Sequence, residues 1–101
     1  MEIKKVEKEN GVHIISLVGR LDTITSPELQ SVLDVVFKSD VKELTLDFKE
    51  LEYVASAGLR VILNAQKLSL STNCKMKLIN VGSEVMDVFK ITGFDEFLTI
   101  E

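Results

Sequence analysis

Between Glu43 and Phe48 apolar and polar side chains alternate, so Leu44, Leu46 and Phe48 fall on one face of an extended chain. A few residues later the spacing changes. From Ser56 to Ser71 the apolar positions Val61, Ile62, Ala65 and Leu68 recur at helical intervals. A half-buried strand followed closely by an amphipathic helix is the unit of a layered α/β domain. Every other segment must then either join the same sheet or cover it.

The opening residues read as a hairpin. Ile3 to Glu9 and Val12 to Gly19 flank Asn10-Gly11, the pair that best tolerates the positive φ angles of a tight type I′ turn. The second arm is apolar on both faces, with Val12, Ile14 and Val18 pointing one way and Ile15 and Leu17 the other, which predicts a strand covered on two sides. Gly19 to Leu29 forms a loop that runs into a helix. Two start signals overlap there: Ser26 caps with Pro27 at the first helical position, or Thr25 caps with Glu28 three residues on. Leu29, Val32, Leu33 and Val36 carry that helix to about Lys38. Lys49 to Ala55 reads as a connection and Lys75 to Val81 as a further strand. Ser83 caps a third helix bearing Val85, Val88 and Phe89, Gly93 stands where a C-terminal glycine belongs, and Phe94 to Ile100 adds a helical turn and a last strand. The expected fold is α/β: one single-layer mixed sheet, an N-terminal hairpin plus parallel strands, with helices packed on it. It spans residues 1–101 as a single domain.

Composition narrows the function. The chain has one cysteine, Cys74, and one histidine, His13. A lone cysteine excludes a disulfide framework and favours a reducing compartment. The charged amino terminus is not a signal peptide, and no segment approaches a membrane span, so a cytoplasmic location without membrane insertion is expected. The formal net charge of −4 lies wholly before residue 53. Without a basic stripe interleaved with aromatics, nucleic acid is not an expected partner. Metal sites and nucleophile–base pairs need converging ligands, which one histidine and one cysteine do not supply, so neither a metal nor another cofactor is expected. His13 reads as lining a strand face and Cys74 as filling a partly buried place beside a strand. Tyr53-Val54-Ala55-Ser56-Ala57-Gly58 lacks the first glycine of a nucleophile elbow, and there is no phosphate-binding glycine loop, so no catalytic residues are assigned.

Ser56 stands at a helix entrance, where first-turn N–H groups and the positive end of the dipole converge. A phosphate there is favoured by both, and Arg60 is one turn away. A plain N-cap role for Ser56 remains open. Ser56, Arg60, Asn64, Lys67 and Ser71 share one polar face, while Leu59, Leu63 and Leu70 lie to one side of the core stripe. That second apolar group either packs on a neighbouring helix or meets a partner.

Three segments together resemble the STAS domain of bacterial anti-sigma factor antagonists. They are Gly19-Arg20-Leu21-Asp22 with Thr25-Ser26-Pro27, Leu44-Thr45-Leu46-Asp47-Phe48, and Tyr53 to Leu63. The resemblance implies that Ser56 is the phosphoacceptor of an anti-sigma factor serine kinase. It further implies that Asp22, Thr23, Ala55, Ala57, Gly58, Leu59 and Arg60 form the partner-binding surface. In that scheme the unphosphorylated domain holds the kinase and frees a sigma factor, phosphorylation abolishes binding, and a phosphatase restores it. Where the family carries an aspartate before the serine, this chain has Ala55. The free form is expected to be a monomer.

Two other functions compete. Free-standing STAS domains also resemble accessory subunits of ABC-type lipid transporters, which bind the transporter ATPase. A hydrolase using Ser56 lacks a base, because His13 lies in an early strand.

Overall fold

The computed structural model describes residues 1–101. Four strands, β1 (Glu2–Lys8), β2 (Val12–Leu21), β3 (Glu43–Val54) and β4 (Lys75–Ile79), form one sheet in sequence order. β1 runs antiparallel to β2, whereas β2, β3 and β4 are mutually parallel. Helices α1 (Ser26–Lys38) and α2 (Ser56–Ser71) make the two crossovers, and α3 (Ser83–Thr92) follows β4. This is the expected mixed sheet with helices packed on it.

One cluster forms the core. Ile15, Leu17 and Leu21 of β2, Leu44, Leu46 and Phe48 of β3, and Met76 and Leu78 of β4 meet Leu29, Leu33 and Val36 of α1, Ile62 and Ala65 of α2, and Val85 and Phe89 of α3. Val12, Ile14 and Val18 point to the other side and are only half-buried. The strand expected to be covered on both faces is therefore fully covered on one.

The hairpin differs from its prediction by one residue. A two-residue turn would pair Glu9 with Val12, but Lys8 pairs with Val12 and Ile3 with Leu17, leaving Glu9–Gly11 as a three-residue connection. Asn10 and Gly11 still take the positive φ angles anticipated, 65° and 74°. The neighbouring chain explains the choice: the Lys42 amide donates to the Gly11 carbonyl at 2.8 Å, and a Cβ on Gly11 would lie 2.5 Å from the Asp40 carbonyl oxygen. A one-residue slip exchanges the two faces of a strand. Here it sends Ile3 to the core and leaves Val6 exposed.

The larger correction concerns β3, which continues through Val54 where a connection from Lys49 was expected. Asp47 and Glu50 face Ser16 and Val18, and Leu51 and Tyr53 face Gly19 and Arg20, so β3 carries an extra residue at each of two bulges. Its buried residues there are Phe48, Leu51 and Val54. That spacing of three hides the strand from any search for alternation.

Helix starts also shift. Thr25 is the N-cap of α1, but its hydroxyl turns back into the loop rather than capping, and Gly82, not Ser83, precedes α3. Gly93 closes α3 in the left-handed conformation, as read from the sequence. The tail makes a 3₁₀ turn over Phe94–Glu96, and Ile100 then bridges to Leu78. Along α2, Gln66 and Ser69 are buried while Leu68 is exposed. The Ser69 hydroxyl reaches the Gln66 carbonyl at 2.7 Å, which satisfies it inside. Of the second apolar group, Leu59 is buried and Leu70 is bare.

Candidate functional site

Because β2, β3 and β4 are parallel, the loops leaving their carboxyl ends gather at one end of the sheet, where sites in α/β domains usually form. β3 enters α2 through Ala55. The Ala55 amide donates to the Leu21 carbonyl at 2.8 Å, which ties the end of β2, and the Asp22 loop after it, to the start of the helix. Gly58 closes the joint. A Cβ at that position would lie 2.6 Å from Leu21 Cγ and 3.0 Å from Val54 Cγ2, so the first turn of α2 rests directly on the ends of two strands.

Ala55 is the N-cap of α2, extended at φ −97° and ψ 174°, and no side chain caps the helix. Ser56 is therefore the first helical residue and not the cap, which decides one of the two readings left open above. It is exposed. Ser26, Ser31, Ser39, Ser69 and Ser71 donate their hydroxyls to main-chain carbonyls, whereas the Ser56 hydroxyl donates to none. The first-turn amides beside it lack partners within the helix, and the first turn holds no acidic residue. Arg60, Asn64, Lys67 and Ser71 continue the exposed face. An anion at Ser56 thus meets free N–H groups, the dipole's positive end and one cation a turn away.

Asp22 is half-buried and has a structural task. Its Oδ1 accepts from the Ile24 amide at 3.0 Å, the Thr25 amide at 3.0 Å and the Thr25 hydroxyl at 3.1 Å. These bonds hold its carboxyl below the ordinary value of 3.8, the Thr25 amide contributing most. The Asp22 amide in turn donates to Thr25 Oγ1 at 2.9 Å, and that hydroxyl reaches the Arg20 carbonyl at 2.7 Å. The result is a small locked loop beside Ser56.

Of the residues proposed for the partner surface, Thr23 and Arg60 are exposed with Ser56, and Asp22, Ala55 and Ala57 are half-buried. Gly58 and Leu59 lie inside. They position the entrance rather than face outward. Sequence reasoning missed Arg20 and Tyr53, whose side chains stack with the guanidinium carbon 4.2 Å from the ring centroid. Only the bulged register, which pairs Arg20 with Tyr53, brings them together.

His13 belongs to the opposite end of β2, 3% exposed, with Nδ1 unpaired. Cys74 is buried just before β4, and its thiol is pushed up by burial and by the nearby Glu43 carboxylate. Neither adjoins Ser56. No group of three or more histidine, cysteine or acidic side chains is arranged to hold a metal. No helix is long and apolar enough to cross a membrane.

A hairpin plus parallel strands, with a helix entrance exposed at their carboxyl ends, defines a small α/β domain with a mixed sheet. The STAS domain family matches residues 4–101, and the chain belongs to that family. It is 28% identical over 102 residues to the anti-sigma-B factor antagonist of Listeria monocytogenes, covering 100% of this chain and 87% of that one. With the anti-sigma-F factor antagonist RsfB of Mycobacterium tuberculosis it shares 28% identity over 91 residues, covering 90% and 74%. The unphosphorylated form of the anti-sigma factor antagonist SpoIIAA has the same fold, with a TM-score of 0.86 at 17% identity over 99% of this chain and 88% of that one. Phosphorylated SpoIIAA of Bacillus matches with a TM-score of 0.79 at 16% identity, over 99% and 91%.

Proposed function

We propose that the protein is an anti-sigma factor antagonist, a cytoplasmic and non-enzymatic domain that binds an anti-sigma factor kinase while Ser56 is unmodified. Binding frees a sigma factor. Phosphorylation of Ser56 by the kinase ends the complex, and a phosphatase restores it. Family membership and the names of the relatives support the general role. The observation that carries the switch is the exposed Ser56 hydroxyl, free of hydrogen bonds at an entrance fixed by Leu21, Val54 and Gly58.

The physics separates folding from binding. A phosphate carries a charge of about −1.5 to −2 at neutral pH. In the free domain the first-turn amides, the dipole and Arg60 offset it, so the fold tolerates it. Inside an interface the same dianion must lose water and face whatever carboxylates the partner presents, which breaks the complex. Ala55 bears on the same balance. A carboxylate at that N-cap would compete for the first-turn amides, and alanine leaves them to the phosphate.

Calorimetric titration of the purified cognate anti-sigma factor with Ser56→Ala and Ser56→Asp tests the proposal. Ser56→Ala should bind like wild type and Ser56→Asp at least about tenfold more weakly. Equal binding by both variants would remove the switch. Co-purification with a transporter ATPase in place of an anti-sigma factor would replace the reading altogether.

A further inference from the structure

Around the outer edge of β4, away from Ser56, the surface opens into a cavity of about 600 Å³. Glu43, Lys75 and Lys77 line it from the uncovered face of the sheet, and Gln66, Ser69 and Leu70 from the side of α2. Among the four strands only β3 borders β4. Main-chain groups along such a parallel strand point alternately to one side and the other. The Lys75 amide donates inward to the Lys42 carbonyl at 2.9 Å, whereas Leu78 faces outward, donating to the Thr99 carbonyl and accepting from the Glu101 amide, both at 2.9 Å. The tail is thus a short fifth strand that covers one half of the edge, and it lays Glu101 beside Lys77 at 3.6 Å. On the other half the Cys74 carbonyl and the Met76 amide also point outward, and no hydrogen bond of the domain takes them up. Lys75, between them, is exposed and makes no ion pair. Gln66 adds a third unmet group: it is 9% exposed, and its Oε1 is buried without a hydrogen-bond partner. A buried acceptor left unpaired is costly, so a donor arriving there is favoured.

We propose that this edge is a docking site for an extended acidic segment of a partner protein, added to the sheet as a further strand. A single residue opposite Lys75 exchanges both main-chain bonds: its amide donates to the Cys74 carbonyl, and its carbonyl accepts from the Met76 amide. Alternation then places its side chain on the uncovered face next to Lys75, where a carboxylate repeats the pairing of Glu101 with Lys77. The residues on either side of it point toward α2, where a hydroxyl donates to the Gln66 carboxamide and a β-branched methyl rests on Leu70. Charge disfavours a second copy of this chain as the occupant. Two β4 edges side by side would set Lys75 and Lys77 against those of the other copy, and β1, the opposite edge of the sheet, carries Lys4, Lys5 and Lys8. The site flanks the last turn of α2 rather than its first, and it does not depend on the reading of Ser56.

The probe is the peptide acetyl-Val-Thr-Glu-Thr-Val-amide, whose order reads the same in either strand direction, titrated to millimolar concentration into isotope-labelled protein and followed by NMR. The Met76 amide should shift and exchange more slowly with solvent. The same peptide with lysine in place of glutamate should bind about 3- to 10-fold more weakly, and Lys75→Glu should reverse that preference. Methylating the glutamate nitrogen removes the donor to the Cys74 carbonyl and should abolish binding. Gln66→Met, which takes away a buried carboxamide oxygen that bonds to nothing, should melt at or above wild type and still bind the peptide about 3- to 10-fold more weakly. Ser56→Asp should bind it like wild type, so this site and the Ser56 switch stand or fall separately. If the Met76 amide does not respond, or the two peptides bind equally well, the docking site is wrong. A dimer in sedimentation equilibrium whose formation slows Met76 exchange without peptide would make a second copy the occupant and overturn the proposal as well.

Discussion

Gly58→Ala adds one methyl group where no room exists. The new Cβ would lie 2.6 Å from Leu21 Cγ, 2.8 Å from Leu21 Cδ2 and 3.0 Å from Val54 Cγ2, and Leu21 is completely buried. Overpacking of this kind costs about 1–3 kcal/mol. Replacing glycine by alanine in a helix returns at most about 1 kcal/mol, and less in the first turn. The net loss is therefore about 1–2 kcal/mol, which for a domain this small lowers the melting temperature by roughly 5–15 °C. Circular dichroism melts measure it. A second variant isolates the cause: in a Leu21→Ala background the two nearest atoms are gone and only the Val54 Cγ2 contact at 3.0 Å remains, so the same methyl should cost much less, a clear departure from additivity. If Gly58→Ala melts at or above wild type, or costs the same with and without Leu21, the close joint between α2 and the strand ends does not exist as described.

Ala55→Asp should raise stability by about 0.5–2 kcal/mol, seen as a higher melting temperature, because a carboxylate would cap α2 where no side chain now does. Asp22 has a lowered folded pKa, so its contribution is present at neutral pH and lost as pH falls below 3.8 through the folded value. Asp22→Asn keeps an acceptor for the loop without the charge, and its acid unfolding profile should lack that component. Cys74 should resist alkylation at mildly alkaline pH in the folded domain and react readily in denaturant, since burial and the Glu43 carboxylate raise its pKa. Mass spectrometry of the alkylated chain distinguishes the two states.

Features governed by local chemistry were the most legible in the sequence. The alternation from Glu43 to Phe48 identified β3, the start of α2 at Ser56 was read to the residue, and Gly93 marked the end of α3. Tertiary contacts decided the rest. The hairpin register depends on how Gly11 meets Asp40 and Lys42, which no property of Asn10-Gly11 encodes. The second half of β3 was hidden because its bulges turn the burial period from two to three. Along α2, hydrophobicity selected Leu68, whereas packing against the sheet buried Ser69. At the site, Ser56 and Arg60 could be placed from helical spacing. Gly58 and Leu59 are inside because the entrance sits on Leu21 and Val54, and the Arg20–Tyr53 stack exists only in the bulged register.

The central claim is that Ser56 is the residue on which partner binding turns. Incubating the protein with its cognate anti-sigma factor kinase and ATP, mapping the modified residue by mass spectrometry and titrating the product against the same kinase tests it most directly. The account predicts one phosphoryl group, on Ser56, and a modified chain that folds normally but no longer binds. An unchanged mass, a phosphate on another residue, or a Ser56-phosphorylated chain that binds as before would contradict it.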